Sequence, residues 1–179
     1  WVGLHSELHG VVRRQRQICV RDGGMSEALR VGIAGLGTVG ASVVRLVTER
    51  SAELMRQCGR PIEIVAVAAR DKSRDRGIAL DGYKWFDDPV ELAKFADIDV
   101  FVELMGGSDG IAADSVRAAL DAGKHVVTAN KALLAVHGAE LAHRAEETGV
   151  SFNFEAAAAG GITIITTLRE TLERNTAAR

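Results

Sequence analysis

From position 29 onward, short apolar runs alternate with longer amphipathic ones. Residues 29–34 read as a buried strand. Residues 38–58 read as one helix, with Val39, Val43, Val47 and Leu54 roughly on one face. Gly59-Arg60-Pro61 ends it. Residues 62–69 are apolar almost throughout, as in a strand covered on both sides. A charged loop follows at 70–76, then a short strand at 83–86 and a brief helix at 88–96, with Pro89 in its first turn. Strands are expected at 99–105, 125–128 and 151–154, and helices at 109–122 and 131–148, with Gly123 and Gly149 closing the two helices. A last helix is expected from Gly160-Gly161 to about 175. Such alternation calls for an α/β fold with a mostly parallel sheet, helices on both faces and right-handed crossovers.

Composition narrows the choice of partner. A chain of 179 residues suits about one domain. A formal net charge of −2 gives no electrostatic case for nucleic acid or an anionic membrane. No apolar run approaches the ~20 residues needed to cross a bilayer. Cys19 and Cys58 stand far apart and in no CxxC pairing, which fits a reducing cytoplasm and argues against a disulfide framework or a zinc site. Residues 1–24 are polar, Arg-rich and weakly periodic, and the chain begins with Trp1. The expectation is a loose or artefactual extension, with Met25 as the natural start. A transit peptide is the rival reading, weakened by Glu7 and Asp22.

The chemistry starts at Gly35-Leu36-Gly37-Thr38-Val39-Gly40. Such a GxGxxG is weak alone, but here it follows an apolar strand and opens an amphipathic helix. Gly35 permits the tight turn, Gly37 lets a pyrophosphate approach the backbone, and Gly40 allows the helix to pack on the strand. Free N–H groups at the helix start attract phosphate oxygens. The bland alternative is a glycine-rich turn with no ligand. At the end of the second strand, Arg70 suits the 2′-phosphate of NADP, with Lys72 and Arg74 nearby. Asp71 suits the ribose 2′-hydroxyl of NAD, so mixed use stays open, and Lys72 and Arg74 also read as a solvated loop. The expected fold is therefore Rossmann-like and doubly wound.

Ligands of open parallel sheets sit at the carboxyl ends of the strands. Glu103, Asn130, Lys131 and Glu155 fall there. Glu103 lies in an apolar strand and needs a partner, unless the strand end is frayed. Lys131 opens a helix, where the dipole disfavours a cation and an anionic ligand would relieve the conflict. Glu155 reads equally well as an acid in the first turn of a helix. His137 and His143 lie off a common helical face and read as structural or exposed.

Four blocks then carry a resemblance: residues 31–40 around the glycine turn, Val102-Glu103-Leu104-Met105-Gly106-Gly107, Val126-Val127-Thr128-Ala129-Asn130-Lys131-Ala132-Leu133-Leu134, and Phe154-Glu155-Ala156 with Ala159-Gly160-Gly161-Ile162. In order and spacing, residues 29–175 resemble the N-terminal part of the homoserine dehydrogenases. The resemblance implies reversible reduction of L-aspartate 4-semialdehyde to L-homoserine with NADPH or NADH, on the route to threonine and methionine. It implies that Thr38, Val39, Arg70 and Lys131 contact the cofactor alongside Gly35, Gly37, Gly40 and Gly106, with Lys131 where nicotinamide meets substrate. It also implies a sodium or potassium site with a Glu155 oxygen and the carbonyls of Ala158, Gly160 and Ile162, a donor set suited to an alkali cation.

Two departures qualify the resemblance. Thr163 stands where the family usually has proline. The family's substrate-binding and dimerisation region, with its proton-donating lysine, lies after position 179. The expected organisation is thus 1–24 as extension, 25–160 as NAD(P)-binding domain and 161–179 as the start of a linking helix. On this reading the chain is a fragment that binds NADPH weakly and turns over negligibly, and the full-length protein is a homo-oligomer. The rivals are another NADP-dependent semialdehyde or imine reductase and a non-enzymatic dinucleotide sensor.

Overall fold

A computed structural model describes residues 27–154. Six strands form one sheet: β1 (Leu29–Ala34), β2 (Ile62–Ala68), β3 (Lys84–Phe86), β4 (Val100–Glu103), β5 (His125–Thr128) and β6 (Phe152–Phe154). Every pairing is parallel, and the spatial order is β3-β2-β1-β4-β5-β6. This is the expected doubly wound α/β arrangement. The chain steps outward from β1 in one direction and from β4 in the other, so the two strands diverge at a crevice above their carboxyl ends.

The connections between the parallel strands divide the helices between the two faces. On one side α1 (Thr38–Glu49) and α2 (Ser51–Cys58) pack Val43, Val44, Val47 and Leu54 against Leu29, Val31 and Ile33 of β1. On the other, α3 (Pro89–Ala93), α4 (Ile111–Asp121) and α5 (Lys131–Thr148) bring Leu92, Val116, Leu120, Leu133 and Leu141 around Phe101. Gly32 makes room on this second side, because a Cβ there would stand 3.0 Å from Ile98 Cδ1 and 3.1 Å from Leu92 Cδ1. A bulge at Val65 shifts the β1–β2 register between Val31 and Gly32. It turns Ile62 and Ile64 toward α1 and α2 but Ala66 and Ala68 toward α3.

Local signals set most boundaries. Asp88 caps α3 by accepting from Val90 N–H at 2.8 Å, with Pro89 in the first turn. Asn130 caps α5 by accepting from Leu133 N–H at 3.1 Å, and Gly149 closes it in the left-handed conformation.

The single helix expected over 38–58 is two. The backbone leaves helical geometry at Arg50 (φ −110°, ψ 22°), although the Arg50 N–H bond to Leu46 O and the Leu54 N–H bond to Arg50 O carry across the bend. Two residues earlier the Thr48 hydroxyl donates back to Val44 O at 2.9 Å, a contact that bends helices. Nor does Val39 belong to the buried face, being 43 % exposed in the turn of α1 that stands clear of the sheet. The strand expected over 99–105 keeps only four residues. Asp99 uses its carboxylate to accept from Arg30 N–H, and Met105 N–H turns to the Glu103 side chain. The expected extension, the helix after position 160 and the Glu155–Ile162 cation loop lie outside the described residues.

Candidate functional site

The glycine turn sits at the exit of β1, at the crevice. Gly35 has φ +99°, and its N–H bonds to Ala68 O at 2.9 Å. A Cβ there would lie 2.7 Å from the Leu104 carbonyl, so β1 and β4 meet closely enough to require glycine. At Gly40 a Cβ would stand 2.0 Å from Gly35 O, which makes this glycine a packing requirement of α1. Gly37 differs, since a Cβ there meets nothing within 4 Å. Its space opens outward, past the exposed Thr38 and Val39. Helix α1 starts at Thr38, with Gly37 at the N-cap position, no side-chain cap and no acidic residue in its first turn. The cradle therefore fits the phosphates of a dinucleotide in both shape and sign.

Arg70 follows β2 and is exposed, with no hydrogen-bond or ion-pair partner among the described residues. Asp71 is occupied otherwise. Its Oδ1 accepts from Ser73 N–H at 2.9 Å and from Ser73 Oγ at 2.7 Å, and these bonds hold its carboxyl below the ordinary value. Arg76 ties the loop to the turn. Its Nε donates to Leu36 O at 3.0 Å, while its two terminal nitrogens donate to Arg74 O and Asp71 O. All three acceptors are neutral carbonyls, so the positive charge stays at the rim. Lys72 and Arg76 both stand 5.8 Å from the Trp85 ring, near enough for cation–π attraction. Arg76 was not legible as a site residue, because its acceptor in the turn is distant in sequence.

Across the crevice, β4 and β5 end in polar residues. Glu103 is fully buried. Its Oε1 accepts from Met105 N–H at 2.7 Å and its Oε2 from the Thr128 hydroxyl. Thr128 Oγ1 accepts in turn from Asn130 N–H at 3.0 Å. The Asn130 side chain donates to Gly107 O at 2.7 Å while capping α5. Burial raises the Glu103 carboxyl above its ordinary value, against the hydrogen bonds from Thr128 and Met105. The expected partner of Glu103 thus exists, but it is a hydroxyl and a backbone amide rather than a cation. Thr128 carried no signal beyond its place at a strand end. Gly106 is exposed in the loop that this network borders, and an added Cβ there meets nothing within 4 Å.

Lys131 is the first residue of α5, exposed and without a hydrogen-bond or ion-pair partner among the described residues. It shares the carboxyl rim of the sheet with the glycine turn and Arg70. His137 lies apart, in a surface network. Its Nε2 donates to Asp109 at 2.8 Å and its Nδ1 accepts from Arg117 at 3.2 Å, while Arg117 also holds Glu140 at 2.8 Å. His143 is exposed. Among the described residues no cluster of His, Cys, Asp or Glu could hold a metal ion, and no helix is long and apolar enough to cross a membrane.

Known proteins share this arrangement. Residues 35–155 match the family model described as homoserine dehydrogenase, NAD binding domain. The homoserine dehydrogenase of Neisseria gonorrhoeae is 44 % identical over 147 residues, covering 82 % of this chain and 33 % of its own length. That of Pseudomonas aeruginosa is 45 % identical over 149 residues, covering 82 % of this chain and 33 % of its own. The crystal structure of a homoserine dehydrogenase from Thiobacillus denitrificans superposes with a TM-score of 0.69 at 40 % identity, over 80 % of this chain and 33 % of that one. The chain thus spans about a third of the length of the relatives it matches. The match over residues 35–155, which takes in the glycine turn and the five strands that follow it, places the chain in the homoserine dehydrogenase family, whose NAD-binding domain it carries.

Proposed function

We propose that the protein takes part in the interconversion of L-aspartate 4-semialdehyde and L-homoserine in the cytoplasm, and that residues 25–160 hold NADP in preference to NAD. The observation that carries the cofactor preference is the rim beside β2. There Arg70 is unpaired among the described residues and Asp71 is turned into its own loop by Ser73. A carboxylate so engaged is a poor acceptor for a ribose 2′-hydroxyl, whereas a free guanidinium suits a 2′-phosphate.

The backbone of Gly35, Gly37, Thr38, Val39 and Gly40 would hold the pyrophosphate at the start of α1. Arg70 would bind the adenosine end. Gly106 and Lys131 would border the nicotinamide end, with the Lys131 ammonium orienting and polarising the substrate aldehyde oxygen. The dinucleotide, when bound, supplies the hydride for that carbon. The Glu155 carboxylate with the carbonyls of Ala158, Gly160 and Ile162 would hold a sodium or potassium ion, a reading supported by the sequence resemblance and by the hard oxygen donors. Residues 161–179 would begin a linking helix, and the assembled enzyme would be a homo-oligomer.

Calorimetric titration of the chain with NADPH and NADH tests the cofactor reading. The expected result is tighter binding of NADPH, with the preference abolished in Arg70→Ala. One charge-assisted contact of about 1.5–3 kcal/mol corresponds to roughly tenfold or more in affinity. Equal binding of both dinucleotides by the unaltered chain would overturn the NADP preference. Binding of neither would overturn the dinucleotide reading.

A further inference from the structure

We propose that Glu103 is a positioning residue for the nicotinamide half of the site, acting through the two loops its carboxylate ties together. The proposal rests on the dinucleotide reading above. With the pyrophosphate at the β1 turn, the two halves of a dinucleotide fall on opposite sides of that turn. Arg70 marks the side above β2 as the adenosine side. The nicotinamide side is then the rim above β4 and β5, bordered by Gly106 and Lys131.

The two sides are built differently. On the adenosine side β1 and β2 end in buried alanines, Ala34 and Ala68, and the loop is held from outside by Arg76. On the nicotinamide side the strands end in Glu103 and Thr128, paired in register and both buried. Each oxygen of Glu103 has its own donor, one from the β4 exit (Met105 N–H) and one from the end of β5 (Thr128). Thr128 passes the connection to Asn130 N–H, and Asn130 returns it to the β4 exit through Gly107 O. The result is a closed ring of hydrogen bonds that fixes the Gly106-Gly107 loop against the residue just before Lys131.

No cation among the described residues compensates the carboxylate. A buried acid without one costs stability that an apolar side chain of similar volume would not. The return on that cost is geometry at the rim. Glu103 itself is buried beneath the rim, so its action is indirect, through the loop that carries Gly106 and the start of α5.

The test titrates the chain and three variants with NADPH and with 2′,5′-ADP, which presents the adenosine half alone. Glu103→Leu is expected to weaken NADPH by about tenfold and leave 2′,5′-ADP unchanged, the effect of losing a hydrogen-bonded tie. Thr128→Val, which removes the hydroxyl and keeps the shape, is expected to do the same. Glu103→Gln can still accept from Met105 N–H and donate to Thr128, and is expected to stay within about threefold of the parent. Equal weakening of both ligands, or of neither, in Glu103→Leu and Thr128→Val would overturn the proposal. So would Glu103→Gln behaving like Glu103→Leu. A parent chain that binds 2′,5′-ADP and NADPH equally well would remove the nicotinamide-side contribution itself. A parent that binds neither would instead overturn the dinucleotide reading, and the proposal with it.

Discussion

Arg76 Nε donates to the carbonyl oxygen of Leu36 at 3.0 Å, joining the loop after β2 to the glycine turn after β1. The same guanidinium also holds Asp71 O and Arg74 O, so one side chain sets the shape of a loop and its distance from the phosphate cradle. Arg76→Ala is expected to weaken NADPH binding by roughly tenfold while leaving the melting temperature little changed, since the loop is largely exposed. Arg76→Lys is not expected to restore binding, because an ammonium lacks the rigid fork that spans three acceptors. Calorimetry and thermal melts on the two variants check both statements.

The glycines of the turn separate fold from ligand. Gly37→Ala adds a methyl that meets nothing within 4 Å, at an ordinary φ of −73°. Its melting temperature is expected to match the parent's or rise slightly, while NADPH affinity falls tenfold or more as the methyl enters the phosphate space, roughly the size of one lost hydrogen bond to a charged group. Gly40→Ala drives a Cβ to 2.0 Å from Gly35 O and is expected to cost at least about 1–3 kcal/mol of stability. Denaturant unfolding of the pair is the measurement. Equal stability of the two variants would contradict the packing described here.

The Glu103 carboxyl has a raised value in the folded chain, caused first by burial. The folded state therefore holds this proton more tightly than the unfolded state, and stability falls as pH rises from the ordinary value of 4.5 through the raised one. Above that window the loss is complete and constant. Glu103→Gln is expected to flatten this part of the stability–pH curve, as read by urea unfolding at a series of pH values.

Glu140 behaves in the opposite sense. The Arg117 guanidinium, with Arg144 beside it, lowers its carboxyl to about 2. Its contribution is present above the ordinary value of 4.5 and is lost as pH falls toward about 2. The Glu140 side chain is 41 % exposed, so screening keeps the amount below about 1 kcal/mol. Acid unfolding of Glu140→Gln against the parent is expected to show a difference of that small size.

Much of this was legible because the signals were local. Asn130 and Gly149 bracket α5, and the expected 131–148 matches Lys131–Thr148. Leu29–Ala34 and His125–Thr128 also match, since their apolar runs end at residues with other duties. The bend at Arg50 was hidden because the apolar period runs through it while Thr48 turns back on Val44. Val39 fits the period yet stands exposed, because periodicity does not show where a helix leaves the sheet. In the site, Glu103 announced its need for a partner by being charged in an apolar run. The identity of that partner depended on the register that sets Glu103 beside Thr128. Arg76 had no local signal at all, as its role exists only once β1 and β2 are side by side.

The rim where α1 and α5 begin also has a kinetic consequence. Arg70 and Lys131 stand there without a carboxylate partner among the described residues, in a chain whose formal net charge is −2. A multiply charged anion diffusing toward this molecule would meet weak repulsion from the whole and attraction from one edge. Encounter would then be oriented before contact is made, and the association rate would fall steeply as added salt shortens the reach of the positive charges at that edge.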